Sequence, residues 1–235
     1  LYVPRAFAII DAIIDCATKA PQKSNVTTPL KSSTTRFGRF LHRLFSFPSM
    51  AESLQTLDTW LFRLGNISAA NPLFDSVMPI ITSNSYIVPI LLAYIVAVIW
   101  RGTVRDQIFV LLCIAALFLA DQGTTIWKQV FMRPRPCLTM SDAHLLVPCS
   151  SSASFPSGHA TNNAAGAVFA ALWYRRWGWT LFVWALIASY SRVYCGVHYP
   201  SDILGGMIWG GCVALCVYAL YERFVPRAVR ERFLV

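Results

Sequence analysis

The sequence predicts an all-α integral-membrane helical bundle, with about five transmembrane helices and amphipathic helices ahead of them. Three observations predict it. Of 235 residues, 56% are hydrophobic and only 13% charged, whereas an ordinary soluble domain is roughly 45–50% apolar and about 25% charged. The apolar residues fall in runs long enough to approach the roughly 20 residues that cross a bilayer. Aromatic and basic residues gather at the ends of those runs, as rings and cations do at headgroup level. The twenty Lys and Arg against eleven Asp and Glu, a net charge of +9, form no contiguous basic face, which excludes nucleic acid as a partner.

Four runs are strongly apolar: Tyr86–Trp100, Ile108–Trp127, Trp179–Tyr194 and Ile203–Phe224. A fifth, His159–Tyr174, is Ala-rich and opens with Thr161, Asn162 and Asn163, yet its place between spans makes it a fifth crossing. The ends are marked by Trp100-Arg101, Trp127-Lys128, Trp173-Tyr174-Arg175-Arg176 and Tyr221-Glu222-Arg223. These spans make up a catalytic bundle over residues 84–226. Residues 51–83 mix Trp60, Phe62, Phe74 and Met78 with Asp58, Arg63 and Asp75, which suits interfacial amphipathic helices. Residues 1–50 read as a basic arm of unassigned role. It opens on a short amphipathic helix, Leu1–Ala17, whose Asp11 and Asp15 argue against a signal peptide. Residues 227–235 form a basic cytoplasmic tail, and no internal repeat or second domain is expected.

The short connections Arg101–Arg105 and Arg175–Trp177, together with Arg227, Arg230 and Arg232, assign the cytoplasmic side by the positive-inside rule. The 128–158 loop and the 192–202 segment then share the outer face. Lys128, Arg133 and Arg135 lie there against the rule, and cations so placed point to an anionic ligand. Cys113, Cys212 and Cys216 sit in apolar runs as small buried hydrophobes, whereas Cys137 and Cys149 share one polar loop and can pair if it faces an oxidising space.

Three clusters mark the outer ends of the spans: Lys128 with Arg135-Pro136; Pro156-Ser157-Gly158-His159; and Ser191-Arg192, His198 and Asp202. A phosphate carries about −1.5 to −2 charge at pH 7, so holding it beside lipid takes several fixed cations, and guanidinium groups add two-pronged hydrogen bonds. Lys128, Arg135 and Arg192 fit that role. Backbone N–H groups around Ser157-Gly158, at a helix start, add donors for the transferring oxygens. One imidazole is then needed to attack phosphorus and another to protonate the leaving oxygen. His198 reads as the nucleophile, with Asp202 four residues on fixing its tautomer, and His159 as the general acid and base. Asp202 also suits an N-cap of the last span. Taken singly, each residue has a blander use: Arg133 and Arg135 as snorkelling anchors, Gly158 as a helix-start glycine. Their joint order on one membrane face is what argues for chemistry. No His, Asp or Glu group has metal-ligand spacing, so neither metal nor cofactor is expected.

The pattern Lys128-x6-Arg135-Pro136, Pro156-Ser157-Gly158-His159, Ser191-Arg192-x5-His198-x3-Asp202 resembles the three-part signature of the type 2 phosphatidic acid phosphatase superfamily, at every signature position. The resemblance implies a metal-independent helical-bundle phosphatase with a phosphohistidine intermediate, acting on a membrane lipid phosphate. The short layout is similar to the bacterial undecaprenyl pyrophosphate phosphatases of that superfamily. It implies a multi-pass protein of the bacterial inner membrane with its site facing outward, hydrolysing undecaprenyl diphosphate. Many of those enzymes carry Pro-Ser-Asp-His where Gly158 stands; glycine is common in the lipid A and phosphatidylglycerophosphate phosphatases, so lipid A 1-phosphatase and phosphatidylglycerophosphate phosphatase are the alternatives. Vanadate-dependent haloperoxidases share the motifs but are large and soluble. A non-catalytic lipid-binding or transport protein on the same fold would be expected to have lost His159, His198 or Asp202. Gly205, Gly206, Gly210 and Gly211 read as a packing stripe, Trp209 as core, and Asp121 as a possible support for Lys128 or Arg135.

Overall fold

The computed structural model describes residues 48–176 and 178–226, and every regular element among them is helical. The expected helix Leu1–Ala17, nearly all of the expected 1–50 arm and the 227–235 tail lie outside the described residues. In chain order the helices are α1 (Pro48–Arg63), running on into a π-helical turn (Leu64–Ser68), α2 (Pro72–Thr82), α3 (Asn84–Arg101), α4 (Val104–Phe131), a short α5 (Pro136–Thr139), α6 (Gly158–Trp173), α7 (Gly178–Tyr194) and α8 (Pro200–Phe224).

Local chemistry sets the helix ends. Asn71 caps α2 by accepting from Phe74 N at 2.9 Å, and Thr103 and Asp106 form a reciprocal capping box at the start of α4. At its other end α4 is stopped by Met132 in the left-handed region, φ 43°. There the chain turns into Arg133-Pro134-Arg135-Pro136 rather than continuing upward.

α6 is the innermost helix, packed by α4, α7 and α8, and none of its residues is exposed. That explains its composition. The alanines that weaken it as an apolar run let three neighbours close on it at once, with Ala160, Ala164, Ala165, Ala167 and Ala170 all buried. α8 meets it through glycine. A Cβ on Gly206 would lie 2.6 Å from Ser157 O and one on Gly210 2.1 Å from Thr161 O, whereas one on Gly211 would meet nothing nearer than 3.8 Å. Gly205 is held open for the Phe155 ring and Gly123 for Trp209, whose indole N–H donates to Ala120 O at 3.0 Å.

The outward faces are apolar. Ile90 on α3, Leu111 and Phe118 on α4, Trp179 on α7 and Leu204 on α8 are all well exposed, an arrangement water would penalise and lipid would not. By length and composition, Val104–Thr139 and Pro200–Phe224 are each long and apolar enough to cross a membrane. Cys212 and Cys216 belong to this outer surface rather than to the core expected for them, because α8 turns that side away from α6. Asp121 is exposed and bonds neither Lys128 nor Arg135, acting on Lys128 only as a more distant charge: Lys128 donates instead to Ala153 O at 2.9 Å.

The stretch 51–83 is pinned to the bundle. Asn66 is completely buried; its amide donates to Tyr194 O at 2.6 Å and His144 O at 2.8 Å and accepts from His144 N at 2.8 Å. Phe62 sits edge-on to Tyr199, ring centroids 5.6 Å apart.

The glycine contacts give a paired prediction. Gly210→Ala drives a methyl into a backbone carbonyl and is expected to lower the thermal midpoint in detergent by several degrees, about 1–3 kcal/mol of overpacking. Gly211→Ala, with open space and a helix-propensity gain of about 1 kcal/mol, is expected to leave the midpoint unchanged or raise it.

Candidate active site

Because the helices alternate in direction, the C-terminal ends of α4 and α7 and the N-terminal ends of α6 and α8 meet at one end of the bundle. The connection from α4 to α6 folds over that end. It is closed by a disulfide between Cys137 and Cys149, Cα atoms 6.2 Å apart, and tied down by Ser154 N to Arg133 O at 2.7 Å and Ser157 N to Asp202 O at 3.0 Å. Arg105, at the far end, donates to Trp173 O at 3.1 Å, so the Arg101–Arg105 and Arg175–Arg176 turns lie together away from the site.

Arg135 is only 4% exposed. Its Nε donates to Ser152 O at 2.8 Å, Nη2 to Ser152 Oγ at 3.0 Å, and Nη1 to Val197 O at 3.2 Å. Nη1 also lies 3.0 Å from His198 Nε2. A guanidinium has no lone pair to offer, so that Nε2 must be the acceptor and the ring proton belongs on Nδ1. Nδ1 faces Ser154 Oγ at 3.4 Å and Asp202 Oδ2 at 3.5 Å.

His198 is 2% exposed, in the turn between α7 and α8. The turn rests on Gly196, φ +82°, where a Cβ would come within 2.7 Å of His144 O. Burial first, with the Arg135 and Arg192 charges against Asp202, pushes the imidazole down to about 4. The folded ring is therefore neutral at pH 7, with an unprotonated Nε2 set among cations. Between pH 6.5 and 4 the unfolded chain binds a proton that the folded one refuses, so this group removes stability as pH falls through that window.

Asp202 is completely buried. It is the third residue of α8 rather than its N-cap, which is Tyr199; the helix starts earlier because Pro200 takes the first position. The carboxylate reaches back to that cap. Oδ2 accepts from Tyr199 N at 2.8 Å and from Ser154 Oγ, and Oδ1 accepts from Arg133 Nη1 at 2.7 Å. At 3.5 Å its contact with His198 exceeds a normal hydrogen bond, so it acts on the ring as a nearby charge and through the Ser154 hydroxyl.

Across the site, Arg192 Nη1 donates to Thr82 Oγ1 at 2.7 Å, while His159 faces the Thr82 backbone and feels the charges of Arg192, Arg135 and Lys128. Ser157 Oγ and Arg192 Nε are buried and make no hydrogen bond among the described residues. The Ser157 N–H expected for phosphate is taken by Asp202 O, because the α6 and α8 starts abut; Gly158 opens the helix with no side-chain cap before it. Nothing steric demands glycine there, since a Cβ would meet only Thr124 Cγ2 at 3.8 Å. The Ser191 hydroxyl turns away, back to Ala188 O at 2.7 Å.

Residues 107–226 match the model of the PAP2 superfamily. The chain belongs to that superfamily. It is similar to the undecaprenyl-diphosphatase BcrC of Bacillus subtilis, 31% identical over 163 residues that make up 67% of this chain and 78% of that one. Two solved PAP2-like structures resemble the fold. A PAP2-type phosphatidylglycerolphosphate phosphatase from Bacillus subtilis is 26% identical at a TM-score of 0.59, over 80% of this chain and 96% of that one. LpxE of Aquifex aeolicus is 28% identical at 0.57, over 69% and 95%. As a PAP2 member with phosphatase relatives, the chain is a phosphoric-ester hydrolase of the membrane, and its substrate is a lipid phosphate.

Several residues of this PAP2 site escaped the sequence reading. Arg133, which the positive-inside rule marks as a cation for an anionic ligand and whose blander use is a snorkelling anchor, instead points inward to Asp202. Ser152 and Ser154 were hidden in a serine run, and Thr82 and Asp58 are brought in from helices far away in sequence.

In protein carrying ring-13C histidine, the His198 signal is expected to keep its neutral-ring position from pH 8 to 5 and to move only near pH 4; a midpoint near 6.5 would contradict the buried placement. Peptide mapping without reductant is expected to recover Cys137 and Cys149 in one linked species, and two free thiols would exclude the bridge.

Proposed function

We propose that this chain is a metal-independent lipid phosphatase/pyrophosphatase that hydrolyses undecaprenyl diphosphate to undecaprenyl phosphate through a phosphohistidine on His198. The observation that carries the reading is the gathering of Lys128, Arg135 and Arg192 around His159, with Arg135 and Arg192 also facing a neutral, buried His198 and with Ser157 Oγ and Arg192 Nε left without partners among the described residues. Such a cluster of like charges is unfavourable until an anion enters it, and phosphoryl oxygens match its donors in number and charge.

In the first step the Nε2 lone pair of His198 attacks phosphorus and the bond from phosphorus to the leaving oxygen breaks; His159, which takes up a proton as the anionic phosphate enters among the cations, gives that oxygen its proton. The Arg135 Nη1 now resting on Nε2 shifts to a phosphoryl oxygen. The positive charge that develops on the imidazole is balanced by Asp202. In the second step His159 takes a proton from water, hydroxide attacks phosphorus, and the P–N bond breaks to release phosphate and restore His198.

The α3, α4, α6, α7 and α8 helices are read as five membrane crossings with the site on the extracytoplasmic face of a bacterial inner membrane. The disulfide beside the site supports that side, as do the Arg101–Arg105 and Arg175–Arg176 turns at the other end. The similarity to the undecaprenyl-diphosphatase favours the diphosphate. The structural likeness to a phosphatidylglycerolphosphate phosphatase and the presence of Gly158 keep that lipid, and lipid A bearing a 1-phosphate, as second readings.

Purified protein is expected to release phosphate from undecaprenyl diphosphate in EDTA, faster than from phosphatidylglycerophosphate or lipid A. His198→Ala is expected to abolish release. His159→Ala should slow it by about 10²–10⁴-fold, most for the poorest leaving group. Full activity in His198→Ala would remove the mechanism, and a preference for another of the three lipids would reassign the substrate.

A further inference from the structure

We propose that Asp58 and Arg133 are positioning residues for this reaction: the α1 carboxylate, acting through Arg133, holds Asp202 so that its charge is presented to His198. The inference rests on the reading of His198 as nucleophile and adds to it a chain of four groups that crosses from α1 into the site.

Arg133 spends its guanidinium on two carboxylates. Nη1 donates to Asp202 Oδ1 and Ser201 Oγ, both at 2.7 Å. Nη2 donates to Asp58 Oδ2 at 2.5 Å and Gln55 Oε1 at 2.7 Å. Its plane is fixed from a third direction by the Tyr199 ring, 4.2 Å below Cζ. Asp58 in turn grips the first turn of α8, accepting from Ser201 N at 2.9 Å and from Ser201 Oγ at 2.5 Å. The side chains of Arg133, Asp58 and Asp202 are 18%, 7% and 0% exposed. Water therefore does little to screen them.

Charge decides what this arrangement does. Asp202 alone would balance the imidazolium that forms when phosphoryl binds Nε2. Arg133 pins Oδ1, which leaves Oδ2 to Ser154, Tyr199 N and the His198 ring, but its positive charge also cancels most of what Asp202 offers. Asp58 restores it. The sequence minus, plus, minus leaves a net negative charge beside Nδ1 while keeping Asp202 in one orientation. An anchor at the membrane surface would need neither the second carboxylate nor burial. The effect appears only as the ring becomes charged, so its loss falls on kcat rather than on KM.

The experiment compares wild type, His198→Ala, Asp58→Asn, Arg133→Gln and the double variant Asp58→Asn/Arg133→Gln, reading kcat, KM and thermal midpoint in detergent on undecaprenyl diphosphate. Arg63→Ala, which cuts the exposed 3.0 Å ion pair from α1 to Asp142, serves as a control for docking of α1 and is expected to stay within about twofold of wild type. Each single variant is expected to lose about 10–100-fold in kcat with KM within about threefold. The double variant, whose net charge beside His198 is restored, is expected to lose far less than the product of the two. If Arg133→Gln does not fold, Arg133→Lys takes its place in the same cycle. Wild-type kcat in Asp58→Asn, losses that track the thermal midpoint, or a double variant that loses the full product would overturn the inference while His198→Ala remains inactive. Activity in His198→Ala, or none in wild type, would instead bring down the reading on which it rests.

Discussion

A carboxylate with no access to water organises this end of the molecule. Asp202 can stay charged in its position only if its oxygens are satisfied, and the chain supplies a partner from each neighbouring element: Tyr199 N from the turn before it, Ser154 from the connection over the site, Arg133 from the stop after α4. Its own carbonyl takes Ser157 N from the start of α6. Removing any one of these leaves a buried charge short of a bond, which is strongly destabilising in general. The same contacts that keep Asp202 ionised fix the relative positions of the three signature segments.

The bundle below supplies the rigidity that such a network needs. α6 and α8 approach through alanine and glycine until backbone meets backbone, so the two histidines, one at the start of α6 and one in the buried turn just before α8, are held at the ends of closely packed helices. Cations are then brought in from α4, α7 and the connection between α4 and α6. Their mutual repulsion is tolerated because packing and hydrogen bonds to Ser152, Val197 and Ala153 hold them.

The sequence made the signature legible because its residues sit at fixed spacings on helix ends. That His198, Asp202, Arg135 and Lys128 gather at one end of the bundle was readable for that reason, whereas the Cys137–Cys149 pair, in one polar loop, was readable only as conditional on an oxidising face. The interior position of α6 was readable only as a puzzle, an Ala-rich span with polar residues at its start; its meaning is three neighbours rather than lipid. Asp58, Thr82 and Asn66 were not readable in these roles, since an amphipathic stretch does not say which polar residue faces water and which reaches a partner 75 to 143 positions away. Ser191 shows the opposite failure. It satisfies the motif, yet its hydroxyl bonds its own helix, a choice that spacing cannot reveal.

The central claim is that His198 carries the phosphoryl group. Undecaprenyl diphosphate labelled at its terminal phosphorus, mixed with protein, quenched in alkali to preserve an acid-labile P–N bond and mapped by peptide, is expected to leave the label on His198, with more of it in His159→Ala as water attack slows. Label on another residue, or none in a protein that still turns over, would mean that water attacks the lipid directly and would contradict this account.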